Sequence, residues 1–308
     1  MDPASALGRC RIMQANSQQS VSSMPNMMLP GASVRDIVSK AQRDYRIFVW
    51  QPAVGQLHDK MPVVYLLDGN GTFPIATSAV ALQSRRPERT GVQPAIVVGI
   101  GYPTTLWLDA ERRTYDYTPP VPEDALPQRP DRGGWTRTGG ADEFLDFIAD
   151  ELQPMIAAEF GADRDQSALF GHSFGGLFVL HTLFTRPALF RNYAAASPSI
   201  WFGGDHLQQA KARFMAAKPT VPTRRLLVTV GGLEQAEAQS ADGASADYDS
   251  WIRRNKMVEN AKGLAADLAT MDPAALAVTY TEFEDENHAS VLPAAISRAL
   301  RFSLMSGT

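Results

Sequence analysis

The stretch LFGHSFGGLFVL, Leu169–Leu180, sets an apolar run against a helical pattern, with Ser173 between Gly171 and Gly175. Ala168–Phe170 reads as a short buried strand, and a helix opens near Gly175. A sharp strand-to-helix turn of this kind strains the backbone of its central residue, and the flanking glycines let strand and helix close on each other. The Ser173 hydroxyl is then lifted at the carboxyl edge of a sheet, beside the positive end of a helix.

Outward from this turn, apolar β-rich runs alternate with helical patterns: Tyr45–Trp50, Val63–Leu67, Ala95–Ile100, Tyr193–Ala196, Leu226–Val230 and Val278–Phe283. The alternation predicts an α/β fold, a mostly parallel twisted sheet with helices on both faces. YRIFVW precedes any helix and alternates polar with apolar residues, which suits an antiparallel edge pair at the start of the sheet. DEFLDFIADELQPMIAAE, residues 142–159, carries Phe144, Leu145, Phe147, Ile148 and Leu152 on one stripe and predicts a surface helix. Residues 102–140 hold YDYTPPVPEDALPQRPDRGGW, whose prolines and glycines exclude a long helix. A loop of that length is usually functional or disordered, and this one follows a strand at the edge where open α/β sheets bind ligands, so it is expected to wall or cover a site. Residues 1–30 are rich in Ser, Gln, Asn and Met without periodicity and read as a flexible lead-in. With no internal repeat or linker, residues 31–308 are expected to form one catalytic domain.

The 308 residues are 44% hydrophobic, ample for one sizeable core. The 29 basic against 33 acidic residues leave a net charge of −4, which disfavours a nucleic-acid or membrane-surface partner. Cys10 is the only cysteine, so neither an internal disulfide nor a structural zinc site is expected. No run is long and apolar enough for a signal peptide or a bilayer span, which predicts a cytoplasmic protein. A periplasmic one follows if the natural start differs, Met13, Met24 and Met27 being alternatives.

A serine hydroxyl is a weak nucleophile at neutral pH and needs a base and a group that orients the base. Among the five histidines, His172 lies inside the turn, His181 belongs to the following helix as a packed residue, and His58 and His206 read as solvated. His288, in the loop ENHASV after the last strand, is the candidate base. The strand RLLVTV runs into GGLEQ, which makes Glu234 the candidate acid, with Asp242, Asp247 and Asp249 as rivals. The backbone N–H of Phe174 and that of Asn70, in the loop Asp68-Gly69-Asn70-Gly71 into which the strand of PVVYLLDGNG runs, are the candidate oxyanion donors. Loop 102–140 carries Arg112, Arg113, Arg129, Arg132 and Trp135, and Trp201 lies at the same rim. Of these, Arg113, Trp135 and Trp201 are the candidate substrate-binding residues, offering charge and stacking to an anionic aromatic ligand. The chemistry requires no metal or organic cofactor.

Together YRIFVWQP, VVYLLDGNG, RRTYDYTPP, GGADEFLDFIADELQPMI, ALFGHSFGGLFVLHTLF, ASPSIWF, VGGLEQ and ENHASVLPAAISRAL resemble the putative-esterase family of α/β hydrolases. The resemblance runs from about residue 33 to 303 and is greatest to the branch of siderophore esterases that cut the trilactone of enterobactin-like molecules. It implies the α/β-hydrolase fold and a serine esterase working through an acyl-enzyme, with Ser173 as nucleophile, Glu234 as acid, His288 as base, and Asn70 and Phe174 as oxyanion donors. The implied substrate is a small-molecule ester, the ester or lactone bonds of a ferric catecholate siderophore. A general acyl or feruloyl carboxylesterase, an acyltransferase and a non-catalytic homologue are the alternatives.

Overall fold

The alternating apolar runs pair into one sheet in a computed structural model that describes residues 29–53, 60–129, 133–217, 223–235 and 246–305. Most of the expected lead-in, with Cys10, lies outside the described residues, as do His58, Arg132 and Asp242. Among the described residues the strands are β1 (Ala32–Val38), β2 (Asp44–Trp50), β3 (Met61–Leu66), β4 (Ile96–Gly101), β5 (Ala162–His172), β6 (Asn192–Ala196), β7 (Arg224–Gly231) and β8 (Leu276–Phe283). Their order across the sheet is β1-β2-β4-β3-β5-β6-β7-β8. β2 pairs antiparallel with β1 and β4, and all other pairs are parallel.

The period of two along each strand divides the core between the faces. On one face Val64, Leu66, Phe170 and Leu227 pack under the helices Gly69–Gln83 and Val291–Leu304 through Phe73, Val80, Ala299 and Leu300. On the other, Tyr65, Leu169 and Tyr193 meet Leu177 and Phe178 of the helix Phe174–Thr185, with Phe214 and Leu264 from two further helices. Successive strands step outward in opposite directions from β3, so the carboxyl ends of β3 and β5 flank the crevice where α/β sheets bind ligands. Asp68–Gly71 and Ser173 follow those two strand ends.

Three elements differ from expectation. β1 is absent from the strands expected because it is an exposed edge, with Val34 and Val38 facing solvent and no regular alternation of apolar residues. It is held by its ladder to β2 and by the directly opposed pair Asp36 and Arg46, 2.7 Å apart. Within loop 102–140, Ala110–Tyr117 forms a two-turn helix whose cap is Asp109, its carboxylate accepting from the Arg112 N–H at 3.0 Å. The helix expected over 142–159 is present as Ala141–Phe147, a π-helical turn Ile148–Leu152, and Gln153–Phe160. The widened turn ends two residues before Pro154, which has no N–H to donate into an α-helical ladder. The stripe Phe144, Leu145, Phe147, Ile148 and Leu152 is buried as expected.

Candidate active site

β5 ends at His172, and the chain turns at Ser173 with φ 61° and ψ −117° before the helix Phe174–Thr185 begins. A positive φ is uncommon for a residue with a side chain and marks stored strain. The turn is sterically tight: a Cβ on Gly171 would lie 2.3 Å from the Gly175 carbonyl oxygen. Gly175 itself leaves ordinary contact distances, the nearest being 3.5 Å to Leu67. The second steric requirement instead falls on Gly176, where a Cβ would lie 2.8 Å from the Ala196 oxygen and 2.9 Å from Pro198.

Glu234 sits in a 3-10 turn, Gly232–Gln235, directly after β7. Its carboxylate is buried and fully used: Oε1 accepts from the Gly231 N–H at 2.7 Å and from Ser197 Oγ at 2.5 Å, and Oε2 lies 2.6 Å from His288 Nδ1. Close passage of the histidine loop depends on Gly231 and Gly232, whose Cβ atoms would lie 2.4 Å from the Glu286 oxygen and 2.8 Å from the Glu284 oxygen. His288 is set within a cap. Asn287 Oδ1 accepts from the Ala289 and Ser290 N–H groups, and Ser290 Oγ accepts from the Asn287 N–H.

Ser173, Glu234 and His288 line one cavity of about 300 Å³ together with Ser199, Trp201, Trp251, Leu233 and Met257. Ser173 Oγ hydrogen-bonds Ser199 Oγ at 3.3 Å, and either hydroxyl can be the donor. His172 packs its ring against that of His288, centroids 4.6 Å apart. Burial, then the neighbouring His288, then Arg113 push the basicity of His172 well below its ordinary range, so it is a neutral spacer beside the candidate base. The Asn70 and Phe174 amides belong to the first turns of two helices, where no intrahelical acceptor exists. The Asn70 side chain is engaged elsewhere, accepting from the Tyr102 N–H and donating to the Tyr102 and Thr104 carbonyls.

The expected substrate-binding set divides. Trp201 lines the cavity and meets Trp251 edge-on at 5.2 Å. Trp135 stands behind it, donating its indole N–H to the Pro127 carbonyl and packing on Phe174, Trp201 and Phe202. Arg113 is not a rim cation. It is buried under the serine turn, its Nε and Nη2 paired with the two Asp68 oxygens at 2.9 and 3.1 Å and Nη2 also donating to the His172 carbonyl. The unforeseen helix Ala110–Tyr117 turns Arg113 inward, and a buried guanidinium persists only with such partners. Arg112 bonds the Asp44 carbonyl and covers Tyr102, while Arg129 covers Trp135. Ser197, Ser199, Trp251 and Met257 were not foreseen. ASPSIWF offered a signal, two serines flanking a proline just after a buried strand, whereas Trp251 lies in a helix with no motif around it.

The strand order, the strained serine between β5 and its helix, and an acid and a histidine after the last two strands define an α/β hydrolase. Residues 39–264 match the family described as "Putative esterase", and the chain belongs to that family. It is 38% identical over 278 residues to the ferri-bacillibactin esterase of Bacillus subtilis, covering 90% of each chain. It is 35% identical over 248 residues to the siderophore enterobactin esterase of Emericella nidulans, covering 78% of this chain and 80% of that one. The crystal structure of the BES protein from Bacillus cereus has the same fold at a TM-score of 0.80 and 35% identity, covering 91% of this chain and 98% of the other. Esterase chemistry is thereby assigned to the chain. Among the described residues no helix is long and apolar enough to cross a membrane.

Proposed function

We propose that this protein is a serine esterase that opens the ester or lactone bonds of a siderophore, with Ser173 as nucleophile, His288 as general base and Glu234 as the acid that orients it. The observation that carries the reading is the 2.6 Å contact of His288 Nδ1 with a buried Glu234 carboxylate, on a cavity that Ser173 also lines. That contact occupies Nδ1 and leaves Nε2 as the proton acceptor. Nε2 takes the proton of the Ser173 hydroxyl as Oγ adds to the ester carbonyl. The Phe174 and Asn70 N–H groups receive the negative oxygen. Nε2 then passes the proton to the departing alcohol, and water, deprotonated by the same nitrogen, releases the acid from the acyl-enzyme.

The siderophore assignment rests on the relatives, named for ferri-bacillibactin and enterobactin, and on a cavity wall of Trp201, Trp251, Leu233 and Met257 suited to a flat aromatic group. Mass-spectrometric product analysis over linear and cyclic catechol lactones, simple acyl esters and feruloyl esters tests it. Ring-opened lactone that disappears with Ser173→Ala supports the reading. Intact lactone alongside turnover of the simple esters reduces it to a general carboxylesterase, and acyl transfer to added glycerol makes the protein a transferase.

A further inference from the structure

The segment after β6, Ser197-Pro198-Ser199, touches both ends of the arrangement just described. Ser197 is fully buried and holds a left-handed backbone, φ 42°, which a serine adopts only under constraint. Its N–H donates to the Thr229 carbonyl of β7 at 2.7 Å, and its hydroxyl donates to Glu234 Oε1. Two residues on, the Ser199 N–H donates to the Ser173 carbonyl at 3.1 Å, and its hydroxyl meets Ser173 Oγ. The Ser173 N–H in turn donates to the Ala196 carbonyl at 2.9 Å. Between the serines, Pro198 is pressed onto Gly176 so closely that a Cβ there would strike it.

We propose that Ser197-Pro198-Ser199 is a brace that orients the esterase triad from both ends, Ser197 acting as a positioning residue for Glu234 and Ser199 holding the Ser173 hydroxyl. The inference rests on the serine-esterase reading and extends it. A carboxylate can rotate about its last bond. With Oε1 held by two donors, the Gly231 N–H and the Ser197 hydroxyl, rotation is blocked and Oε2 stays aimed at His288. At the other end, a hydroxyl partner within reach keeps Ser173 Oγ in one rotamer at the wall of the cavity that His288 also lines. The left-handed strain at Ser197 is the cost of presenting both hydroxyls from one turn, and Gly176 is the clearance that lets the turn sit against the helix.

The experiment measures kcat, KM and the rate of fluorophosphonate labelling on p-nitrophenyl acetate for Ser197→Ala, Ser197→Gly and Ser199→Ala, beside the parent and Ser173→Ala. Thermal midpoints are taken for each, and the low-field imidazole proton, assigned by its absence in His288→Ala, is followed by NMR. Loss of a hydrogen bond to a charged group predicts a kcat lower by about ten- to a hundredfold in both Ser197 variants, at nearly constant KM, with the low-field resonance broadened or gone. Ser199→Ala, which loses a bond between neutral groups, is expected to slow labelling by about three- to tenfold. Glycine accepts the positive φ freely, so Ser197→Gly isolates the hydroxyl from the backbone and folds where alanine strains. Parental kcat and an intact resonance in Ser197→Gly, or parental labelling in Ser199→Ala, would overturn the brace while leaving the serine-esterase reading in place. Full activity in Ser173→Ala would instead remove that reading.

Discussion

His288 Nδ1 and Glu234 Oε2 stand 2.6 Å apart, joining an imidazole that is 46% exposed to a carboxylate that is 1% exposed. The exposed imidazole opens onto the cavity and the buried carboxylate is held by two donors, the division of labour that the proposed base and its orienting acid would require. Glu234→Gln is expected to keep the fold and lower kcat by about two to four powers of ten, because an amide can donate toward Nδ1 and favour the wrong tautomer. Ser173→Ala should cost about four to six powers of ten. Steady-state kinetics on a chromogenic ester checks both, and equal rates in parent and variants would sink the triad.

Arg113 is buried in an ion pair with Asp68 and is not among the residues that line the cavity. Arg113→Met leaves Asp68 buried without its partner and is expected to destabilise the protein by about 3–5 kcal/mol in urea denaturation. Asp68→Leu added to Arg113→Met should recover most of that loss, since an apolar pair replaces a buried ion pair at little net cost. A stability unchanged by Arg113→Met, with binding of an anionic ester impaired, would return Arg113 to the rim.

Glycine substitutions separate packing from propensity. Gly176→Ala drives a methyl into the Ala196 carbonyl and Pro198, so loss of soluble protein or of activity is expected. Gly263, exposed in the helix Met257–Leu268, has nothing within 4 Å of an added Cβ. Gly263→Ala should therefore stabilise by about 0.5–1 kcal/mol without altering kcat, read from a denaturation curve and an ester assay on the same sample.

His172 predicts a pH dependence. Burial chiefly holds it neutral in the folded protein well below its ordinary value of 6.5, while the unfolded chain takes up a proton there. Stability present above pH 6.5 is accordingly lost as pH falls below that value. The urea midpoint of the parent should drop more steeply between about pH 7 and pH 5 than that of His172→Gln. Parallel slopes would show that His172 titrates alike in both states.

The central strands were legible because burial on both faces writes them as unbroken apolar runs such as VVYLL and IVVGI. β1 was not, because an exposed edge strand needs only a partner for its backbone, and the apolar residues of ASVRDIV break the alternation of a half-buried strand. The helix Ala110–Tyr117 was hidden by its polar composition and the prolines that follow it, although Asp109 capping Arg112 was readable in hindsight. At the site, Ser173, Glu234 and His288 could each be singled out because each follows the carboxyl end of a strand by one to five residues. The rivals of Glu234 lie in the polar stretch beyond, and what marks its carboxylate is the contact with His288 and the Gly231 and Ser197 donors. Arg113 lies away from its expected place at the rim for the opposite reason, since charge and loop position are visible in a sequence and the direction of a side chain is not.

Local chemistry thus carried the strand pattern, the strained serine turn and the kinds of residue able to do ester chemistry, because propensity and periodicity act over a few neighbouring positions. Which groups meet was decided by tertiary packing alone: Ser197 against Glu234, Ser199 against Ser173, and Arg113 beneath them with Asp68. Such contacts join positions 26 to 45 residues apart, and their partners are selected by the sheet's register and by the need of each buried polar atom for a partner.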